Sequence, residues 1–279
     1  MTTIDLEAEY NNRARVPEHP QIIEGWARDA QAYRAQMTPA TYAVVPYGES
    51  PRQTLELFSP ATANHGPAVL FIHGGYWQGL APSFFSHMAR GLNGRGTRVA
   101  VAGYDLCPDV GLGEITEQLI RATERLFRLT NQPVVVAGHS AGGHLAACLA
   151  ATDWEEINSA YPAHVVPCAL AISGLFELEP LVPTSINAKL GLDIAAARAL
   201  SPRLWMPPQN ITFDAWVGSK ESREYHRQSE GIAAVWGAAG NTTRCVPVTG
   251  ENHFSIIAGL AETDSPMTAR LAELVSNLK

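Results

Sequence analysis

The residues with the clearest chemical potential lie in the sequence Gly-His-Ser-Ala-Gly at residues 138–142. Three valines at residues 134–136 precede it, and a run of small apolar residues typical of a buried helix follows. A Gly-x-Ser-x-Gly motif between a strand and a helix exposes its serine hydroxyl at the helix N-terminus, where free N–H groups favour negative charge. The alternative is a glycine-rich turn that contains a serine by chance. The strand and helix context favours Ser140 as a nucleophile.

A serine hydroxyl becomes a useful nucleophile only when a base accepts its proton and an acid holds that base in one tautomer. With a nucleophile of this kind, the chain order is serine, acid, histidine. The sequence contains nine histidines, and His253 is the last of them. It follows the last predicted strand at once, so His253 is the predicted base. His139 and His144 flank the nucleophile and are interpreted as packing and hydrogen-bonding residues.

The acid is expected in the turn after the penultimate predicted strand, at residues 212–217. Glu221 is the carboxylate in that turn and is the predicted acid. Glu224 and Asp214 are its competitors, but Glu224 comes about one helical turn later and Asp214 lies within the strand. A second interpretation of Glu221 is a carboxylate that only stabilises the start of the next helix.

An acyl-transfer site also needs two backbone N–H groups that converge on the developing oxyanion. Ala141, directly after the nucleophile, is expected to supply the first. The second is expected from the turn after an earlier strand, with Gly75 as the principal donor and Gly74 or Tyr76 assisting. Neither a metal nor a nucleotide cofactor is expected, because His-Glu-x-x-His and the glycine-rich phosphate-binding motifs are absent from the sequence.

These residues must be held by a sheet, and hydrophobic periodicity predicts where its elements lie. Strands are predicted at residues 41–45, 53–58, 68–72, 98–102, 133–137, 169–173, 212–217 and 243–248. Helices are predicted at residues 22–35, 83–92, 113–129, 141–151 and 223–239 and from residue 266 onward. The first two strands form an antiparallel pair, and the alternation after residue 68 predicts an α/β fold with a mostly parallel, doubly wound sheet.

Composition indicates a globular enzyme of one domain, residues 1–279, with 46% hydrophobic and 17% charged residues. The net charge of −7 argues against nucleic-acid binding. The acidic start does not resemble a secretory signal, and no run is long enough to cross a membrane, so a cytoplasmic protein is expected. The four cysteines lack metal-site spacing and are expected to be free thiols.

Two segments stand apart from the alternating pattern. Residues 1–40 contain an amphipathic helix that is expected to pack on the domain surface; the alternative is a flap in which Tyr10, Asn11 or Trp26 lines the substrate pocket. Residues 174–210 are interrupted by five prolines and are expected to form an irregular, cap-like insert over the active site.

Several stretches of the chain carry a resemblance to a known family: residues 73–78, 104–108, 138–142, 173–180, 224–229 and 253–254. They resemble the kynurenine formamidase (arylformamidase) family of the α/β-hydrolases, over nearly the whole chain after residue 40. The resemblance implies hydrolysis of an N-formyl aromatic amine to formate and the free amine, without a cofactor. Tyr76 and Trp77 follow the formamidase variant of a turn that is His-Gly-Gly-Gly in related carboxylesterases. Glu221 stands where the family usually has aspartate.

The leading hypothesis is a serine amidase that acts on a small molecule, N-formyl-L-kynurenine first, with Tyr76, Trp77 and Phe254 shaping an aryl pocket. Alternatives are a carboxylesterase and an amidase for a related formamide or enamide of ring catabolism. A small-molecule receptor with a disabled triad is a hypothesis of another class. Neither a nucleic acid nor a membrane is an expected partner, and a homodimer is expected for an enzyme of this size.

Overall fold

A computed structural model describes residues 4–61 and 66–278 and contains one eight-stranded sheet in the order β1-β2-β4-β3-β5-β6-β7-β8. The strands are β1 Tyr42–Pro46, β2 Thr54–Phe58, β3 Ala68–Ile72, β4 Val99–Ala102, β5 Val134–His139, β6 Cys168–Ile172, β7 Thr212–Gly218 and β8 Thr242–Val248. β2 runs antiparallel to β1 and β4, and the pairs from β4 to β8 are parallel. The predicted strands and the mostly parallel sheet are confirmed.

The helices cover both faces of this sheet. They are α1 Leu6–Tyr10, α2 Asn12–Arg15, α3 His19–Ala35, α4 Arg90–Gly94, α5 Leu112–Thr130, α6 Ala141–Ala150, α7 Trp154–Ile157, α8 Asn187–Leu190, α9 Ile194–Ala199, α10 Arg223–Ala238 and α11 Pro266–Ser276. None of those in the described ranges has the length and hydrophobicity that crossing a membrane requires.

Strand side chains alternate between two cores, because successive residues of a strand point to opposite faces of the sheet. Leu70 and Val136 belong to the core that α5, α6 and α10 cover, whereas Phe71 and Val135 belong to the core beneath α3 and α11. The central strands β3, β5 and β6 are buried along their whole length. Their continuous apolar sequence therefore reflects burial on both faces. Because β5, β6 and β7 run parallel, the C-terminal ends of β5 and β7 lie at the same edge of the sheet.

The single helix predicted at residues 83–92 is wrong. The chain instead forms two 3-10 turns, Pro82–Phe84 and Ser86–Ala89, before α4 begins. Arg34 on α3 donates to the Ser83 carbonyl at 2.6 Å, and the Ser86 hydroxyl donates to Glu56 at 2.7 Å. A continuous α-helix would use the Ser83 carbonyl for its own hydrogen bond, so this tertiary contact competes with helix formation.

The insert at residues 174–210 is more regular than expected. It contains α8, α9 and two 3-10 turns, Glu179–Leu181 and Pro202–Leu204. Pro180 and Pro202 lie in the first positions of these turns, where proline's missing N–H costs nothing. Two of the five prolines that interrupt the hydrophobic pattern thus lie at the start of 3-10 turns.

Candidate active site

The turn between β5 and α6 holds Ser140 in a backbone conformation that non-glycine residues seldom adopt, with φ 56° and ψ −118°. The flanking glycines permit this close packing. A Cβ atom on Gly138 would lie 2.0 Å from the carbonyl oxygen of Gly142, and a Cβ on Gly142 would lie 2.0 Å from that of Ile72. The sharp turn predicted from the Gly-x-Ser-x-Gly motif is therefore present, and it directs Ser140 into a cavity.

The structure joins Ser140, His253 and Glu221 in one chain of hydrogen bonds. His253 Nε2 lies 3.1 Å from Ser140 Oγ, and His253 Nδ1 lies 2.7 Å from Glu221 Oε2. The second carboxylate oxygen, Oε1, accepts hydrogen bonds from the Ser173 hydroxyl at 2.6 Å and the Gly218 N–H at 2.7 Å. With Glu221 acting only as an acceptor, Nδ1 carries the imidazole proton and Nε2 is free to accept one from Ser140.

The two competing carboxylates are engaged elsewhere. Asp214 is fully buried in β7 and accepts two hydrogen bonds from Arg270, at 2.7 and 3.1 Å. Glu224 pairs with Arg227 and accepts a hydrogen bond from the Tyr10 hydroxyl at 2.7 Å. Of the three carboxylates considered from the sequence, Glu221 is the one that contacts His253.

His139 and His144 take the supporting places expected of them. His139 Nε2 lies 2.8 Å from the backbone oxygen of His253, and His144 Nε2 lies 2.8 Å from that of Leu200. Burial lowers the pKa of His144 to about 4, and burial together with the neighbouring His253 holds the pKa of His139 well below its usual range. Both rings are therefore neutral hydrogen-bond donors to these carbonyls.

The predicted oxyanion donors lie beside Ser140. Ala141 is the first residue of α6, so its N–H has no acceptor within the helix. The turn after β3 approaches from the other side, where a Cβ on Gly74 would lie 2.9 Å from Ser140 Cβ. Gly74 and Gly75 both line the cavity at Ser140. In residues 4–61 and 66–278, no group of three or more His, Cys, Asp or Glu side chains is placed to hold a metal ion.

The cavity above Ser140 has a volume of about 340 Å³. Six of the predicted site residues line it: Gly74, Gly75, Tyr76, Ser140, His253 and Phe254. Ser185 and Ile186 of the insert form part of its wall. The indole of Trp26 lies 6.1 Å from the Phe254 ring and 6.4 Å from the His139 ring, measured between centroids. The wall near the histidines is therefore aromatic.

The N-terminal segment lines the cavity rather than merely covering the domain surface. Tyr10, Asn11 and Trp26 are all in its wall. The helix of this segment, α3, packs on the domain surface as expected, with Trp26, Ala30 and Tyr33 buried. The alternative interpretation also holds, because the same buried face brings Trp26 to the cavity. α1 and α2 instead dock through hydrogen bonds to α10, of which the Tyr10 to Glu224 contact is one.

The expectation that Trp77 lines the pocket is also wrong. Its side chain is fully buried and packs edge-on against His144, with ring centroids 5.1 Å apart. Tyr76 and Trp77 have left-handed φ values of 51° and 57°. The two neighbours therefore point in different directions, and only the Tyr76 ring lies in the cavity wall.

Replacing Trp77 with alanine is expected to lower the free energy of unfolding by ~3–5 kcal/mol, since it would leave a large void in the core. The measurement is equilibrium unfolding in urea. Tyr76→Ala is the matched variant and should mainly raise KM for aromatic substrates relative to small ones. Unchanged stability of the Trp77 variant, with a raised KM for aryl substrates, would indicate that Trp77 lines the pocket.

Comparison with known proteins agrees with this geometry. The model of the alpha/beta hydrolase family matches residues 69–274, which is most of the sheet and all three residues of the hydrogen-bonded chain. The chain belongs to the α/β-hydrolase family. Within it, the chain is 30% identical over 253 residues to a kynurenine formamidase of Salmo salar, covering 87% of this chain and 84% of that protein.

Two further relatives extend the similarity to nearly the full length. A kynurenine formamidase of Drosophila melanogaster is 29% identical over 296 residues and covers 97% of each chain. Among solved structures, a candidate thioesterase of Silicibacter sp. superposes with a TM-score of 0.87 at 32% identity, covering 96% of this chain and 98% of that one. The N-terminal helices of this hydrolase thus lie within the region shared with relatives.

Sequence reasoning missed a group of polar side chains beside Ser140. Asn12 on α2 donates to the Tyr225 hydroxyl at 2.8 Å, and the hydroxyls of Tyr225 and Tyr76 lie 2.8 Å apart. The Tyr225 ring packs against His253 at 4.7 Å between centroids, and its hydroxyl lies near enough to Ser140 for that serine to influence the pKa of Tyr225. No local signal could have found this group in a single sequence, because its members come from three distant segments.

Proposed function

We propose that this hydrolase is a serine-dependent amidase that removes the formyl group from an N-formyl aryl amine, with N-formyl-L-kynurenine as the substrate. The observation that carries the proposal is the hydrogen-bonded chain from Glu221 through His253 to Ser140 on the cavity floor. The similarity to kynurenine formamidases supports the choice of a formamide. The aromatic wall of Trp26 and Phe254 supports an aryl substrate.

In the first half of the reaction, Ser140 Oγ attacks the formyl carbon while its proton passes to His253 Nε2. The N–H groups of Gly75 and Ala141 stabilise the resulting oxyanion. His253 then gives the proton to the amide nitrogen, the C–N bond breaks, and the aryl amine leaves with the formyl group bound to Ser140. Glu221 stabilises the positive charge that His253 carries between these two transfers.

In the second half, water replaces the amine. His253 takes a proton from the water as its oxygen attacks the formyl ester, and the oxyanion forms again beside Gly75 and Ala141. His253 returns the proton to Ser140 Oγ, the ester bond breaks, and formate leaves. The enzyme is restored without any redox step or cofactor.

Formate release tests this proposal directly. Purified protein with N-formyl-L-kynurenine should produce formate and kynurenine in equal amounts, and a fluorophosphonate probe should label Ser140 and block the reaction. Hydrolysis of short aryl esters with no formate from any formamide would refute the amidase assignment. Failure of the probe to label the protein would instead support a receptor with a disabled triad.

A second candidate is a thioester or ester hydrolase. The specific observation in its favour is the similarity to the candidate thioesterase of Silicibacter sp.. The same triad cleaves esters and thioesters, because their carbonyl carbons are attacked in the same way. Comparing kcat/KM for an aryl formamide, an aryl acetate and an acyl thioester, each divided by the uncatalysed hydrolysis rate constant of that substrate, separates the candidates.

Tyr225 is proposed to assist Ser140. The Tyr76 hydroxyl donates its only proton to the Tyr10 carbonyl at 2.5 Å, and the Tyr225 hydroxyl already accepts a proton from Asn12. The Tyr225 proton is thus available to Ser140 or to the hydroxyl of Tyr76. Burial raises the pKa of Tyr225, so the group remains a donor at neutral pH. As Ser140 loses its proton, a hydrogen bond from Tyr225 would lower the energy of the developing charge.

Tyr225→Phe is therefore expected to lower kcat about tenfold to a hundredfold, with a small change in KM. The measurement is steady-state formate release. Tyr33→Phe is the matched control, because its hydroxyl bonds Asn93 and is not part of the cavity wall. An unchanged kcat in Tyr225→Phe would limit this hydroxyl to a packing role.

A further inference from the structure

Two cations stand in the wall of the cavity that contains Ser140. Arg13 comes from α2 and Lys189 from α8, and both residues are exposed. Within the described ranges, neither the guanidinium of Arg13 nor the ammonium of Lys189 forms an ion pair with a carboxylate. Arg15, two residues along, does pair with Glu9. The cavity therefore offers two positive charges that the protein itself does not neutralise.

The other formal charge in the cavity wall is already in use. Glu7 accepts hydrogen bonds from the Ser185 N–H and hydroxyl, both at 2.7 Å, and these contacts lower the pKa of its carboxyl. The cavity wall thus contains two cations that are unpaired among the described residues and one carboxylate that is already hydrogen-bonded, in a chain whose net charge is −7. Two such cations in the cavity wall favour the binding of an anionic group of a ligand near them, because opposite charges attract.

The two cations sit on elements that are tied to each other and to the active-site turn. The Glu7 contacts fasten α1 to Ser185, just before α8. Gln78, in the turn after β3, donates to the Ile186 carbonyl at 2.8 Å. Because α2 follows α1 after a single residue, Arg13 and Lys189 are held in one framework with Gly74 and Gly75.

We propose that Arg13 and Lys189 form the subsite that binds the side-chain carboxylate of the N-formyl aryl amine. The inference rests on the proposed formamidase function and assigns two residues to the binding of one end of its substrate. The charged end of the substrate lies between the two cations at the cavity mouth, and its formyl group reaches Ser140. A planar guanidinium and a compact ammonium together can satisfy both carboxylate oxygens.

A different explanation of the two cations concerns the helices themselves. Each lies in the last turn of a four-residue helix, where a positive charge interacts favourably with the free carbonyls. That explanation predicts that their removal changes stability and leaves KM unaltered. The subsite predicts the opposite, so the two explanations separate experimentally.

The kinetic test compares two formamides that differ in whether they carry an α-carboxylate. N-formyl-L-kynurenine is a zwitterion with an α-carboxylate and an α-ammonium, and 2-formamidoacetophenone has the same aryl ketone without either group. The acid 4-(2-formamidophenyl)-4-oxobutanoate keeps a carboxylate without the ammonium and should bind at least as well as N-formyl-L-kynurenine. Arg13→Gln and Lys189→Gln are each expected to raise KM for the charged substrate about tenfold, and the double variant about a hundredfold, with kcat nearly unchanged. KM for the neutral formamide should stay the same. Arg125→Gln, an exposed cation outside the cavity wall, is the control.

Salt gives a check that needs no variant. KM for the charged formamide should rise when ionic strength is increased from about 0.02 M to about 0.5 M, because exposed charges are screened. KM for 2-formamidoacetophenone should not rise with ionic strength. Equal responses of the two substrates, to salt or to the substitutions, would overturn the subsite.

A binding measurement separates failure of the subsite from failure of the proposed function. Calorimetry with the two amine products, L-kynurenine and 2-aminoacetophenone, requires no turnover. The subsite predicts tighter binding of L-kynurenine to the wild-type protein and equal binding of both products to the Arg13→Gln/Lys189→Gln variant. If neither formamide releases formate, the proposed function fails, yet this difference still supports the subsite. Equal binding to the wild-type protein overturns the subsite whatever the formate assay shows.

Discussion

Replacing Ser140 with alanine is expected to lower kcat for formate release by roughly four to six orders of magnitude, the largest effect of any single change. The formyl group has no other attachment point in the proposed mechanism, so both halves of the reaction are lost together. KM should change little, because the hydroxyl removed is small and the cavity wall remains. The measurement is single-turnover formate release at high protein concentration.

The variant must also be shown to fold. Its urea unfolding midpoint should match that of the wild type or exceed it, since alanine does not carry a polar hydroxyl into the buried turn. Ser229→Ala is a suitable control, because Ser229 is fully buried on α10 and its hydroxyl has no partner among the described residues. Formate release by Ser140→Ala that exceeds the amount attributable to contaminating wild-type enzyme would show that Ser140 is not the nucleophile.

Glu221→Gln is expected to lower kcat by about a hundredfold to ten-thousandfold, again with little change in KM. The shape of the side chain is kept, but one of its two oxygens becomes an amide nitrogen. That nitrogen must face either His253 Nδ1 or the donors Ser173 and Gly218, and it cannot accept a hydrogen bond at either place. The result is a wrong imidazole tautomer or a displaced side chain, together with the loss of the negative charge.

Glu224→Gln is the matched control, since it removes a carboxylate three residues away that pairs with Arg227 and does not contact His253. It should retain kcat within a few-fold. Glu221→Asp keeps the carboxylate but shortens the side chain, so its activity should fall between wild type and Glu221→Gln. A fully active Glu221→Gln variant, with Glu224→Gln or Asp214→Asn inactive, would show that another carboxylate is the acid of the triad.

The centre of the site could be predicted from the sequence because backbone constraints leave traces in it. The sharp turn at Ser140 needs Gly138 and Gly142, and the order of elements places Glu221 after β7 and His253 after β8. The sheet could also be predicted from the sequence, since a strand buried on both faces must be apolar throughout. Each of these features is set by neighbours in the sequence or by the topology of one sheet.

What could not be predicted depends on packing between distant segments. Asn12 and Tyr225 are 213 residues apart, and nothing local to either indicates that they meet at Ser140. Trp77 follows Tyr76 directly, yet their left-handed backbone sends one ring into the core and leaves the other in the cavity. At residues 83–92, a contact that competes with a continuous helix comes from Arg34, 49 residues before Ser83, which donates to the Ser83 carbonyl at 2.6 Å.

During synthesis, Tyr10 is made 214 residues ahead of Glu224, the residue that accepts its hydrogen bond. At about 5–20 residues per second, this interval lasts roughly 10–40 s. Helices as short as α1 and α2 are not stable alone in water, so these residues wait unfolded while the central strands assemble. The nascent chain thus carries its serine well before its acid, its base or the wall that holds the substrate. Catalytic competence is therefore expected to appear in one late step, after α10, β8 and His253 have all been made and α1 and α2 have docked on α10.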